Sequence, residues 1–165
     1  MDLGSANVLM LTNKNVEKMN KEEIKAKLFE LQTNLVNELQ EKVKTSHSMV
    51  DIDETDTIDP EDFSHQYESG EMEQLMKVQL NKEKGNLEKL NTIDFGPKDT
   101  VACGALVKTN QFNFFIGLPT IPFDVKGDHI VGISNESPIY AIMANKKEGD
   151  AFSFRGNDYK IEKIY

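Results

Sequence analysis

The sequence has little of what several large classes of protein require. Among its 165 residues it contains one cysteine, Cys103, and no tryptophan. A single cysteine excludes an internal disulfide and a multi-cysteine zinc site, so a reduced, cytoplasmic protein is expected. No apolar run approaches the roughly 20 residues of a membrane span, and the start MDLGSANVLML lacks the basic flank of a signal peptide. No membrane association is therefore expected.

Basic side chains are outnumbered by acidic ones. The net charge is −9, from 19 lysines and arginines against 28 aspartates and glutamates. Proteins that bind nucleic acid by neutralising phosphates need a basic face, so strong direct DNA binding is not expected. Neither a phosphate-binding glycine loop nor a nucleophile motif occurs, and the chain is not expected to be an enzyme in its own right.

Proline and glycine are rare between residues 18 and 92, which contain only Pro60, Gly70 and Gly85. The segment is rich in Glu, Lys, Gln and Leu, a composition typical of helices. Apolar residues recur at three- and four-residue steps on both sides of a break near residues 50–59. They are Ile24, Leu28, Leu31, Leu35, Leu39 and Val43, and then Phe63, Tyr67, Met72, Leu75, Met76, Leu80, Leu87 and Leu90.

Two helical segments of matched length, each with one apolar face, are predicted from this pattern. An antiparallel coiled-coil hairpin over residues 15–92 would bury both faces. Residues 1–14 are expected to form a flexible N-terminal segment. The alternative is a pair of helices packed flat on a larger core.

The chain changes character near Phe95. β-branched and aromatic runs broken by turn residues follow: TVACGALVKT, QFNFFIGL, HIVGIS, DAFSF and YKIEKIY. Ser137 and Pro138 before IYAIMANKK predict a short helix, with Ser137 as N-cap and lysines in its last turn. Residues 93–165 are thus predicted to form a small antiparallel sheet domain with one short helix, which makes the whole chain α+β. Its predicted core comprises Val101, Leu106, Phe114, Phe115, Ile130, Ile133, Ile139, Phe152, Phe154 and Ile161.

The most unusual stretch is DIDETDTIDPEDFSHQYESGEME, residues 51–73. It holds ten carboxylates and no lysine or arginine. A calcium loop of the EF-hand type is excluded, because a loop that starts at Asp51 has Asp56 where glycine is required and Asp62 where a bidentate glutamate is required.

Part of this stretch is explained by the start of the second helix. Asp59 can cap the helix, Pro60 suits its first position, and Glu61 and Asp62 favour the helix dipole. The acidic residues upstream fit a solvated loop without a partner. They also fit a functional tip, since Asp59 and Asp62 at the end of a hairpin about 45 Å long could share a Mg²⁺ ion with another macromolecule.

Two parts of the chain resemble known bacterial transcription factors. GISNESPIYAIMANKKEGDAFSFRGNDYKIEKIY, residues 132–165, resembles the C-terminal FKBP-like domain of the GreA/GreB-type transcript-cleavage factors. DPEDFSHQYE, at the start of the second helix, is similar to the Asp-Pro-x-Asp coiled-coil tip of the DksA-type RNA polymerase regulators. The cysteines of the DksA-type zinc finger are missing, so the globular end follows the Gre pattern.

The resemblance implies a factor that enters the secondary channel of bacterial RNA polymerase as a monomer. Asp59 and Asp62, within an acidic tip at residues 51–62, would be the catalytic and metal-binding carboxylates, and Mg²⁺ would be shared with the polymerase rather than bound stably by this chain alone. Asp62 is one methylene shorter than the glutamate of the Gre motif. This difference counts against transcript cleavage and leaves regulation of initiation or elongation as the other outcome.

Two other functions fit some of the same residues. An FKBP-like fold can carry peptidyl-prolyl isomerase activity, for which Phe112, Phe114, Phe115, Phe123, Tyr140, Phe152 and Phe154 would have to line a pocket. A coiled-coil adaptor without any role at the polymerase would need only the hairpin.

Overall fold

The structure is a computed structural model that describes residues 19–50 and 60–165, and for residues 47–50 and 60–67 it describes the backbone alone. Two long helices come first, and a sheet with one short helix follows. The elements are α1 (Lys21–Val50), α2 (Pro60–Thr92), β1 (Leu106–Thr109), β2 (Asn113–Ile116), β3 (Phe123–Val125), β4 (Asp128–Ile133), α3 (Pro138–Met143), β5 (Ala151–Phe154) and β6 (Asn157–Ile164). The predicted α+β fold is confirmed, whereas the N-terminal segment 1–14 lies outside the described residues.

Local sequence sets the ends of the helices. At the start of α1 the side chain of Asn20 accepts a hydrogen bond from the Glu22 N–H at 3.1 Å, and two glutamates occupy the first turn. The second helix begins at Pro60, as predicted from its fixed φ angle. It runs through Gly85 without interruption, because packing against α1 outweighs the low helix propensity of one glycine.

The six strands form one sheet in the order β3-β4-β2-β1-β6-β5. Four neighbouring pairs are antiparallel, but β2 and β4 run parallel. The prediction of a wholly antiparallel sheet was therefore wrong at one pair. The reason lies in the loop between β2 and β3, where Pro119 and Pro122 prevent a tight hairpin and the chain crosses to the edge of the sheet before it returns as β4.

Both faces of this sheet are buried. One face carries apolar residues of β1, β2, β5 and β6, such as Val107 and Phe114, which pack in one cluster with Met143 of α3. The other face is covered by the start of the hairpin, because Met19, Ile24, Leu28 and Leu90 join Leu106, Phe115, Leu118, Phe123 and Ile130 in a second cluster. The predicted core residues are buried or half-buried, but the helical hairpin supplies part of the core that the sequence assigned to the sheet domain alone.

Three local predictions were wrong. Residues 100–105 do not extend β1; they form a turn in which Cys103 is half-buried, so this thiol does not sit in a strand. Asn157 and Asp158 separate the runs DAFSF and YKIEKIY and were predicted to form the turn between them, but they open β6. The tight turn is made by Arg155 and Gly156, which adopt the positive φ angles that it requires. The short helix α3 ends at Met143, so the lysines that follow lie beyond its last turn.

The start of α3 agrees with its prediction. Ser137 has an extended backbone, and its hydroxyl accepts a hydrogen bond from the Tyr140 N–H at 3.3 Å. Pro138 occupies the first turn, where its missing N–H costs nothing.

Candidate functional site: the helical hairpin and its base

The two long helices pack against each other along a narrow seam. On α1 the fully buried positions are Ile24, Leu28, Gln32 and Val36, at four-residue steps. On α2 one row of buried and half-buried positions alternates three- and four-residue steps, a coiled-coil spacing. They are Glu73, Met76, Leu80, Glu83, Leu87 and Leu90.

The predicted stripe on α2 was wrong at two places. Met72 and Leu75 are exposed, at 52 % and 65 %, and Leu35 on α1 is also exposed. The seam passes one residue further along, through Glu73 and Met76, because that register continues the three- and four-residue steps back from Leu80. Met72 and Leu75 were included in the prediction because they are apolar, but they lie on the stripe next to the seam.

A buried hydrogen-bond network crosses the middle of the hairpin. The Gln32 side-chain amide donates to the backbone carbonyl of Glu83 at 2.9 Å and to its carboxylate at 2.8 Å. Gln79 and Asn86 donate to the same carboxylate at 2.7 and 3.0 Å. With its oxygens satisfied by three amides, Glu83 can stay buried, and only one alignment of the helices satisfies all four side chains.

The base of the hairpin is fixed to the sheet domain by polar contacts around one loop. Lys21 donates from Nζ to the backbone carbonyl of Gly96 at 2.7 Å. Next to it, the Phe95 ring stacks on Phe115 with 5.4 Å between centroids, and the Lys25 ammonium lies 5.2 Å from the Phe95 centroid. These contacts hold the helix against the sheet from one side.

A second contact holds the base from the opposite side. Glu23 on α1 forms an ion pair of 2.7 Å with Lys126 in the turn between β3 and β4. Together with the buried apolar cluster, these contacts determine the direction in which the hairpin leaves the sheet domain.

The charges at this junction perturb two pKa values. Burial, and then the neighbouring Lys98 ammonium, lower the pKa of Lys21 to about 8, with the Asp94 carboxylate acting in the opposite direction. Hydrogen bonds from Lys98 Nζ at 2.7 Å and from the Gly96 N–H at 2.8 Å hold the pKa of Asp94 below its usual value. Lys21 is therefore only partly charged slightly above neutral pH.

The first turn of α2 lies at the far end of the hairpin from this junction. Asp62 falls in the first turn of α2, where the structure describes the backbone and not the side chain, and Asp59 lies outside the described residues. The backbone thus places only Asp62, and the metal pair stays a prediction. Within residues 19–50 and 60–165, no group of three or more His, Cys, Asp or Glu side chains is arranged to hold a metal ion.

The aromatic residues considered for an isomerase pocket do not converge. Phe114 and Phe152 are buried on one face of the sheet, whereas Phe115 and Phe123 are buried on the other. Phe112 is exposed at the turn before β2. These rings fill two separate cores, and among the described residues they do not line one common pocket.

The structure also reveals residues that the sequence analysis missed. The network around Glu83 and the junction around Lys21 were not predicted. The sequence contains one sign of the network around Glu83. A polar residue, Gln32, occupies a seam position of α1 between Leu28 and Val36. No local signal existed for the contact of Lys21 with Gly96, whose partners are 75 residues apart.

Comparisons with known proteins add little to this description. No protein-family model matches the sequence, and no curated protein matches it. Among solved structures, the chain is similar to the crystal structure of GreA factor homolog 1 (Gfh1) of Thermus thermophilus, with 13 % identity over 83 % of this chain and 94 % of that chain and a TM-score of 0.33. Neither long helix in the described part is apolar enough to cross a membrane.

Proposed function

We propose that this chain is a secondary-channel factor of bacterial RNA polymerase, of the Gre or DksA kind. In this proposal the sheet domain docks at the polymerase surface, and the helical hairpin carries its acidic tip toward the catalytic Mg²⁺. The chain acts in the cytoplasm as a monomer, without a membrane and without strong direct DNA binding. The sequence resemblances at residues 59–68 and 132–165 motivate the choice of partner.

The observation that carries the proposal is the free-standing arm. The first helix has 30 residues, which corresponds to about 45 Å. Only the start of α1 and the end of α2 enter the core of the sheet domain, whereas Val36 and Leu80 are buried outside both core clusters. A long, thin, internally aligned arm with a fixed base suits insertion into a channel, and a pair of helices packed flat on a core would not.

The chemistry proposed for the tip needs the polymerase. Two carboxylates bind Mg²⁺ weakly, so Asp59 and Asp62 would act only where nucleic acid and polymerase residues complete the coordination shell. The chain itself would catalyse nothing, and at most it would stimulate transcript cleavage by the polymerase through a second metal ion. Because Asp62 is shorter than glutamate, we favour regulation of initiation or elongation over cleavage.

The central experiment is competition for the polymerase. A labelled secondary-channel factor bound to bacterial core polymerase is titrated with this chain. We expect each molecule of this chain that binds the polymerase to displace one molecule of the labelled factor. Failure to displace it, with the chain shown to be folded, would refute the docking proposal. Adding the chain to a backtracked elongation complex with Mg²⁺ then separates the two outcomes, since RNA shortening indicates cleavage and binding without shortening indicates regulation.

A second candidate, a coiled-coil adaptor, is favoured by one observation. Met72, Leu75 and Val78 lie close together on α2 and are exposed at 52 %, 65 % and 67 %. Exposed apolar residues grouped on one helix are typical of a surface that another protein covers. Replacing all three with glutamine would abolish partner binding by an adaptor, whereas a channel factor that works through its tip would keep its transcriptional effect.

A further inference from the structure

The two edges of the sheet differ in how they are protected. At one edge, β3 is short and lies against α1, and Glu23 of α1 forms an ion pair with Lys126 in the turn that follows β3. At the other edge, β5 has the sequence AFSF, with no charged residue and no proline. Charge, proline or a covering element usually protects an edge, because its unpaired backbone groups can bind another strand. The edge at β5 is therefore the one at which a strand can be added.

The turn after β5 determines which of its backbone groups point toward β6. Arg155 and Gly156 have φ angles of 50° and 81°, as in a two-residue turn of type I′. In such a hairpin the residues on either side of the turn, Phe154 and Asn157, form a hydrogen-bonded pair. Hydrogen-bonded pairs alternate along antiparallel strands, so the backbone groups of Phe152 also point toward β6.

The other two residues of β5 point their backbone groups away from the sheet. The same alternation continues before β5, where the Ile161 N–H donates to the Asp150 carbonyl at 2.8 Å. The N–H and C=O groups of Ala151 and Ser153 must therefore point outward. Both residues are exposed, and no other described residue forms a hydrogen bond with these outward groups. An extended backbone is the partner that fits such a row of donors and acceptors.

The side chains on the two faces of β5 differ in polarity. Phe152 and Phe154 pack in one cluster with Met143 of α3, and α3 lies against β5. Phe154 is only half-buried, so part of its ring remains accessible. Ala151 and Ser153 lie on the opposite face and are exposed. A strand added along β5 would thus have an apolar surface on one face and water on the other, which favours alternating apolar and polar side chains.

Arg155, at the end of β5, is the single arginine of the chain. Its guanidinium lies 5.2 Å from the centroid of the Phe154 ring. It forms no ion pair within the part of the chain that the structure describes. Asp158, the nearest carboxylate along the hairpin, instead accepts a hydrogen bond from the Ser153 hydroxyl. An arginine held against an aromatic ring without an ion pair suits a carboxylate of a binding partner.

We propose that β5 binds an extended segment of a partner protein, which joins the sheet as an antiparallel strand. The segment alternates polar and apolar residues and carries an acidic residue at its N-terminal end, the end that an antiparallel strand places beside Arg155. An antiparallel strand is preferred because such pairing is slightly more stable per residue than parallel pairing. The proposal concerns the sheet domain alone and depends neither on the polymerase nor on the acidic tip.

The β5 strand of a second copy fits this edge less well. Pairing two copies through β5 would join four residues of each chain, which corresponds to about 13 Å of strand. A stable dimer buries roughly 1200 Å² or more, far above what two such short strands supply. A partner segment can be longer than β5 and can also pack against α3.

The test is a titration of a labelled peptide with the full chain, followed by fluorescence anisotropy. The peptide begins with glutamate and then alternates valine and threonine. We expect saturable binding, and binding about threefold weaker when glutamine replaces the glutamate or when the glutamate is moved to the C-terminal end. Absence of saturable binding would overturn the proposal, and equal affinity for the three peptides would overturn the role given to Arg155.

Methylation of peptide nitrogens tests the backbone pairing. Facing residues of an antiparallel pair have their side chains on the same side of the sheet, so the polar peptide residues would face Ala151 and Ser153 and point their N–H groups at β5. Methylating these nitrogens should weaken binding by about tenfold or more, whereas methylating the valine nitrogens should leave it unchanged. The reverse result would indicate a parallel strand, and equal effects would exclude strand addition; either would overturn the proposal.

Substitutions in the chain test the same contact from the other side. Ser153→Pro removes an outward N–H group that β6 does not use, so the sheet should persist and peptide binding should be lost. Ser153→Ala removes the hydroxyl but keeps the N–H, and as the matched control it should bind like the unaltered chain. Arg155→Asn creates the Asn-Gly pair that type I′ turns favour, and it should bind the glutamate and glutamine peptides equally.

The methylated peptides keep the test decisive if Ser153→Pro does not fold, because they leave the chain unaltered. Undiminished binding by a folded Ser153→Pro variant would overturn the proposal. Sedimentation of the unaltered chain tests the other occupant. A dimer that Ser153→Pro or the peptide dissociates would assign this edge to a second copy and overturn the assignment to a partner segment.

Discussion

Gln32 and Glu83, 51 residues apart, form the central polar contact of the hairpin: one side-chain amide bonds both the carbonyl and the carboxylate of the facing residue. Both side chains are buried, at 5 % and 7 % exposure. A contact of this kind in an apolar seam favours one alignment of two helices over alignments shifted by a turn.

Removing one partner of this contact should destabilise the protein. Gln32→Ala leaves the buried Glu83 carboxylate without one of its three hydrogen bonds and removes the side-chain donor to the Glu83 carbonyl. We therefore expect the free energy of unfolding to fall by about 1–3 kcal/mol. Replacing both residues, as Gln32→Leu with Glu83→Leu, should restore most of that loss, because no buried charge remains. Urea denaturation of the variants measures both effects. If the double variant were as unstable as the sum of the single variants, the contact would not be the reason for the loss.

Helix boundaries could be predicted because their causes are local. Pro60 and the Ser137 cap act through hydrogen bonds and dihedral angles within a few residues, and the structure places both as the sequence indicated. The seam of α2 was harder, because Met72 and Leu75 satisfy a helical spacing almost as well as Glu73 and Met76 do. Only the position of α1 decides between the two stripes.

Contacts between distant segments could not be predicted from the pattern. The parallel pairing of β2 with β4 depends on how the loop between β2 and β3 crosses the sheet, and the junction at the base of the hairpin depends on where α1 meets the loop at Gly96. The tip remains a prediction from sequence, since Asp59 and the side chain of Asp62 are outside the described part of the chain.

Gly104 should not tolerate a side chain. Its φ angle is +85°, and a Cβ atom there would lie 1.9 Å from the backbone oxygen of Asp94. Gly104→Ala is expected to lower the free energy of unfolding by about 1–3 kcal/mol or more, because both the backbone and the neighbouring loop would have to shift. Thermal unfolding followed by circular dichroism measures this change.

Gly85→Ala is the matched control in the middle of α2. A Cβ atom there would meet nothing within 4 Å, so alanine should stabilise the helix by about 0.5–1 kcal/mol. Equal destabilisation by both substitutions would contradict this account of the two glycines.

The lowered pKa of Lys21 predicts a pH dependence of stability. In the unfolded chain this amine titrates near 10.5, and in the folded chain it titrates at about 8. Between these values the unfolded state binds a proton that the folded state has lost. The contribution of Lys21 to stability therefore rises as pH rises from about 8 to 10.5, and it is constant below and above this range.

The unfolding free energies of the unaltered chain and Lys21→Met should therefore diverge in favour of the unaltered chain as pH rises from 8 toward 10.5. Groups common to both proteins cancel in this difference. Lys160→Met should show a smaller change over the same range, because Lys160 is exposed. A flat difference would mean that Lys21 keeps its ordinary pKa in the folded chain, and a falling difference would mean that folding raises its pKa.

The tip can be tested by substitutions that preserve helix initiation. Asparagine caps helices about as well as aspartate, so Asp59→Asn with Asp62→Asn removes two charges at little cost to the start of α2. We expect this variant to fold and to displace a secondary-channel factor from polymerase with unchanged affinity, but to lose its effect on transcription. Asp51→Asn with Asp53→Asn removes the same charge from the acidic stretch and should retain that effect. If both double variants lost activity equally, the bulk negative charge of the stretch would be responsible, and a metal-directed role for Asp59 and Asp62 would be wrong.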